Sequence, residues 1–183
     1  MNFKWAALLA AVCFPIVAGA SGPECAQSPG NVIKVCVSVH DGRATFEVSR
    51  LNQPVLGQSN LGLEFRGEHE ARYSAIASVN RSSSDTSWEQ PWGEQRTIRD
   101  RHTEMTITLM GNTPFSQAVE VTFRLFDEGL GFRYRYDSIP AAREVAVSAD
   151  RTSFHTLGDY VAWWYQALGQ ERDEYLYTHT DAR

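Results

Sequence analysis

Period-two alternation predicts an all-β fold for this chain, and more narrowly an antiparallel β-sandwich. Three observations carry the prediction. Apolar residues recur at every second position through most of residues 32–147, as in strands with one buried and one solvated face. Turn signals rich in Gly and Asp separate these runs. No segment holds a helical period over three turns. About nine runs of this kind need two sheets packed face to face to bury their apolar sides.

In chain order, Ile33, Val35, Val37 and Val39 alternate with Lys34, Cys36 and Ser38. After His40-Asp41-Gly42, Ala44, Phe46 and Val48 alternate with Thr45, Glu47 and Ser49. Two alternating runs around Asp-Gly predict a β-hairpin. Leu61, Leu63 and Phe65 share one face, as do Tyr73, Ala75, Ala77 and Val79. Residues 80–88, from Asn80 to Trp88, are serine-rich and polar and read as a loop or strand-to-strand crossover. Met105, Ile107 and Leu109 alternate with threonines, and Val119, Val121, Phe123 and Leu125 with Glu120, Thr122 and Arg124. The turn Asp127-Glu128-Gly129 leads to Leu130, Phe132, Tyr134 and Tyr136, and Val145 and Val147 continue the habit.

Residues 1–20 read as a secretory signal peptide. Lys4 precedes an apolar run from Trp5 to Val17, which ends at the small-x-small sequence Ala18-Gly19-Ala20. That run falls short of the roughly 20 residues of a membrane-spanning helix, and no other segment is long and apolar enough to span a membrane. The domain plan is therefore a signal peptide over 1–20 and one β-sandwich domain over 21–183, soluble in a periplasm or secreted. Export to an oxidising compartment makes a Cys25–Cys36 disulfide one reading, and two free thiols are the other.

The chain holds 17 basic and 22 acidic residues, net −5. Its basic residues are scattered, which argues against a nucleic-acid or anionic-membrane partner. There is no G-x-S-x-G, no phosphate-cradling glycine loop and no H-E-x-x-H. The histidines at 40, 69, 102, 155 and 179 have no ligand spacing and read as surface or turn residues. Glu68 and Glu70 read as a solvated loop, and Asp127 as a residue placed by its turn. Trp88, Trp92, Trp163 and Trp164 crowd into two short segments, the second with Tyr160, Tyr165, Tyr175 and Tyr177. Such clusters suit contact with sugar rings, although composition alone favours core and inter-sheet packing.

Several stretches resemble glycoside hydrolase family 97. Glu89-Gln90-Pro91-Trp92-Gly93-Glu94-Gln95-Arg96-Thr97-Ile98-Arg99-Asp100, then His102-Thr103-Glu104-Met105, is similar to that family's "W-G-E … I-R-x … E-L" segment. Phe123 to Tyr134 resembles its "F-R-x-x-D-x-G-x-x-F-R-Y" hairpin. Ser28-Pro29-Gly30-Asn31 before a valine-rich strand, and Asp41-Gly42, are similar too. Trp163-Trp164 followed by Asp173-Glu174-Tyr175-Leu176-Tyr177 resembles the "W-W … Y-E-x-L-Y" region before the catalytic domain. The order and spacing of the motifs run over nearly all of residues 25–180.

The resemblance implies exported bacterial α-glucosidases and α-galactosidases. In these a large sandwich of the super-sandwich type precedes a (β/α)₈ catalytic barrel and a small β domain. It implies that the catalytic acid and the nucleophile or base lie in the barrel, and that the sandwich lends residues to an active-site calcium ion. Glu174 matches the family's "Y-E" glutamate and is the expected calcium ligand, while Trp163 and Trp164 are the expected substrate-binding residues. A barrel takes roughly 250 residues and this chain stops at Arg183, so no catalytic residue is expected here and activity from the chain alone is not expected. Calcium wants 6–8 oxygens, so Glu174 would need a barrel beside it. The expected role is to brace a catalytic barrel, in cis or from a neighbouring chain, and to wall the pocket for an α-glucoside or α-galactoside. The alternative is a free-standing carbohydrate-binding module of the cell envelope.

Overall fold

The structure, a computed structural model, describes residues 22–137, 139–140, 144–166 and 175–182. The expected signal segment lies outside them. Strands β1 (Glu24–Gln27), β2 (Ile33–His40), β3 (Arg43–Arg50) and β4 (Gln53–Leu61) form one antiparallel sheet in that order. The short strand β5 (Leu63–Phe65) follows directly. Strands β6 (Tyr73–Glu89), β7 (Thr97–Gly111), β8 (Val119–Leu125) and β9 (Leu130–Tyr136) form the second four-stranded sheet, again as a meander. Strand β10 (Val147–Asp150) pairs with β5, and β11 (Tyr160–Trp164) pairs with β12 (Thr178–Ala182). With every pairing antiparallel and no helix among the described residues, the all-β sandwich holds.

The alternating apolar positions become the inner faces. Val35, Val37 and Phe46 of the first sheet meet Met105, Ile107, Val121 and Phe123 of the second, all buried. Phe46 lies 6.0 Å from Phe123 and 5.5 Å from Phe132, centroid to centroid. The β2–β3 turn forms at Asp41-Gly42 as the dipeptide predicts, with φ of 51° and 80°. A left-handed pair of this kind matches the twist of the strands it joins.

Two sequence expectations fail here. Residues 80–88 are not a loop: they are the outer half of β6, paired residue by residue with β7 from Asn80↔Thr106 to Glu89↔Thr97. Strand β8 joins β7 only between Thr103 and Leu109, so beyond Asp85↔Arg101 the two strands form a ribbon paired with itself. Both its faces are wet, which erases the alternation that marks a strand. The second failure is the face of β6. Ile76 is buried, whereas Ala75 is partly exposed and Ala77 fully so, because register shifts at Tyr73/Ala75 and Ile76/Ser78 flip the parity.

The two sheets are tied along one margin. From Asp150 the chain runs antiparallel to β4: Arg151 N–H donates to the Gly62 carbonyl, Ser153 N–H to that of Asn60, and Leu157 N–H to that of Val55. Residues 151–157 thus cover an edge of the first sheet that would otherwise be open to pairing. Tyr134 and Tyr136 of β9 reach the same place, their hydroxyls accepting from the N–H groups of Gly62 (3.0 Å) and Leu63 (3.2 Å). At the opposite edge a disulfide joins Cys25 of β1 to Cys36, its directly opposed partner on β2.

Candidate functional site

The family-like motifs, far apart in sequence, converge in space. Gly30 N–H donates to Asp127 Oδ1 at 2.7 Å across 97 residues. The Ser28 hydroxyl, the Gly30 N–H and the Arg101 guanidinium together hold the Asp127 carboxyl below the usual carboxylate range. Ser28 Oγ in turn accepts from the N–H groups of Val32 and Ile33. Asp127 therefore does more than shape its own turn: it clamps the start of the first sheet to the β8–β9 hairpin. Beside it, Arg124 Nε donates to Glu104 at 2.8 Å, which raises the guanidinium above its ordinary value.

His102 departs from the surface reading. It is buried, its Nδ1 lies 2.5 Å from Asp100 Oδ1, and its ring lies 5.3 Å from that of Phe126. Glu68 also departs from a freely solvated reading, since one carboxylate oxygen accepts from Phe115 N–H at 3.1 Å.

The tryptophans are not core residues. Trp163 is 66% exposed and Trp164 47%, and every side chain of β11 is exposed. The sequence Tyr160-Val161-Ala162-Trp163-Trp164 has strong strand propensity and pairs with β12 in unbroken register. Trp163 lies 5.2 Å from the His179 ring, and Tyr165 lies 6.0 Å from Tyr175 and 5.3 Å from Tyr177. Leu176 beside them is 95% exposed. Trp92, 83% exposed, sits at the tip of the β6–β7 ribbon. The structure thus brings Trp163 into an open aromatic ribbon with His179, a residue that spacing did not single out. Flat aromatic faces held out in water can take the apolar face of a ring or of a protein partner.

Glu174 lies outside the described residues. Among the described residues no three His, Cys, Asp or Glu side chains group so as to hold a metal ion, and no helix is long and apolar enough to cross a membrane.

The fold and its open aromatic ribbon define an antiparallel β-sandwich domain. Residues 26–183 match the glycosyl-hydrolase 97 N-terminal family, and the chain belongs to that family. Among solved structures it is similar to a glycoside hydrolase family 97 enzyme from Pseudoalteromonas sp. strain K8 in complex with panose. That likeness has 32% identity and a TM-score of 0.73 over 86% of this chain and 24% of that one. A family 97 enzyme from the same strain in complex with acarbose gives the same figures. A β-arabinopyranosidase, 19% identical with a TM-score of 0.63, covers 76% of this chain and 22% of its own, and shares the fold. The chain therefore spans about a quarter of the length of these enzymes.

Proposed function

We propose that this chain serves as the carbohydrate-facing scaffold domain of an exported α-glycosidase, walling one side of the sugar pocket and bracing a catalytic barrel. The observation that carries the reading is the β11–β12 ribbon, an aromatic two-stranded element exposed along all of β11. A ribbon of this kind is marginal alone, and an apolar surface in this state marks an interaction site. Family membership supports the sugar chemistry, since the family 97 enzymes similar to this chain are complexed with panose and acarbose. Trp163 and Trp164 are the residues proposed to face saccharide or barrel. The Cys25–Cys36 bridge supports an oxidising, periplasmic or secreted location. A calcium role for Glu174 belongs to the same proposal, with the remaining oxygens supplied from outside this chain.

The test begins with the intact mass of the native product in the exported fraction. A mass several times that of this 20.5 kDa chain is expected. In that product, replacing Trp163 and Trp164 together by Ala should lower kcat/KM on panose by about tenfold or more. A full-length product whose activity is indifferent to both tryptophans would remove them from the pocket wall.

A further inference from the structure

The edges of the two sheets are finished differently. Residues 151–157 cover the edge at β4, and β1 at the other end of that sheet has only 4 residues. Strand β6 is an edge strand of the second sheet. It runs for 17 residues and contains neither Pro nor Lys, two of the devices that keep an edge from pairing. Its register shifts lie near its start, and from Asn80 to Glu89 it pairs with β7 without a bulge.

The turn at the tip shows which backbone groups of β6 face outward. Gln90 N–H donates to the Arg96 carbonyl at 3.0 Å, which continues the Glu89↔Thr97 register and turns Gln90 toward β7. Facing alternates along an antiparallel strand. The even-numbered residues of 80–88 therefore use their N–H and C=O groups on β7, and Val79, Arg81, Ser83, Asp85 and Ser87 point theirs the other way. Among the described residues no strand or other backbone group pairs with these. All but Val79 are exposed.

This edge is complementary to itself. About a two-fold axis at Ser83, Arg81 stands opposite Asp85 of a second copy, twice by symmetry. Ser82 then faces Ser84, and Asn80 faces Thr86. Opposite charges and hydroxyls directly across a ladder are favourable. Moving the axis two residues either way sets Arg81 against Arg81 or Asp85 against Asp85. Within its own chain Arg81 is paired with Glu24, and Asp85 with Arg99. Across the seam the row Glu24, Arg81, Asp85, Arg99 alternates in sign.

We propose that β6 pairs edge to edge with β6 of a second copy of this chain, antiparallel about Ser83, so that two four-stranded sheets join into one. The contact is isologous and closes on itself, and main-chain pairing supplies its affinity. It is independent of the carbohydrate reading. Sedimentation velocity on the full chain tests it, in a dilution series up to about 100 µM, where a micromolar association is nearly complete. A concentration-dependent dimer is expected. Ser83→Pro removes an outward N–H from each copy and none from the β6–β7 ladder. It should raise the dissociation constant by about tenfold and leave the melting temperature of the dilute chain level. Asp85→Arg should weaken the dimer by about as much, and adding Arg81→Asp should restore it. That double change worsens both contacts within the chain, to Glu24 and Arg99, and repairs only the one between copies. If Ser83→Pro lowers the melting temperature, the charge exchange alone decides. A monomer throughout the series would overturn the proposal and leave the edge to a different segment. A dimer indifferent to Ser83→Pro and Asp85→Arg, or one lost in Trp163→Ala with Trp164→Ala, would overturn it by placing the interface elsewhere. Failure of the double change to rescue would overturn the Ser83 register.

Discussion

The sandwich and the C-terminal ribbon are built from the same kind of strand and held in opposite ways. In β8, Val119, Val121, Phe123 and Leu125 are fully buried. In β11, five consecutive residues with similar strand propensity are all exposed. Backbone pairing is complete in both. What separates them is the second layer, since burial of apolar area and not the ladder supplies most of the stability. Of the two, the ribbon is the one whose apolar side chains stand out in water.

Substitutions should sharpen that contrast. The largest effect is expected from Phe123→Ala, which empties the contact with Phe46 and with Phe132 at 5.3 Å. A loss of about 3–5 kcal/mol is expected in urea unfolding, and a loss below 1 kcal/mol would mean that the sheets are not packed on this residue. Reduction of the Cys25–Cys36 bridge, with a sequence separation of 11, should cost about 2–3 kcal/mol, read from melts with and without reductant. Gly42→Ala comes next. Its φ is +80° and a Cβ would meet Arg72 Nε at 2.8 Å, so about 1–2 kcal/mol is expected.

Asp127 should appear as a pH effect. Its folded pKa is depressed, so its contribution is present above the unfolded carboxylate pKa and is lost as pH falls through the folded value. Asp127→Asn should flatten the acid limb of a stability-versus-pH curve; an unchanged limb would mean that the clamp to Ser28 and Gly30 is idle. At the alkaline end, burial pushes Tyr73 up to about 12. A raised phenol pKa gives stability that is whole below about pH 10 and falls as pH climbs toward 12. The smallest effect belongs to the ribbon: Trp163→Ala with Trp164→Ala should leave the stability of the isolated chain within about 0.5 kcal/mol. A loss of several kcal/mol would show that the ribbon is part of the core.

The sandwich was legible wherever one face of a strand is buried. The hairpin at Asp41-Gly42 and the β8–β9 pair follow directly from alternation. The outer half of β6 was not legible, because serines and charges on two wet faces leave no period. Ile76 was misplaced because a bulge changes parity without changing composition. The disulfide depended on register, since Cys25 and Cys36 are bridgeable only as opposed partners. Trp163 and Trp164 were found by their crowding, yet their exposure could not be read, because an aromatic cluster looks the same in a core and on a surface. Asp127 looked local because sequence shows its turn and not Gly30, brought near by the fold.

The opposed cysteines also permit an early covalent step. Their bridge needs only the β1–β2 pair, so it can close while the rest of the chain is still being made. Between Ser21 and Arg183 there is no third cysteine to compete for either partner. The first hairpin can thus be a covalent ring before the sheet that will face it exists.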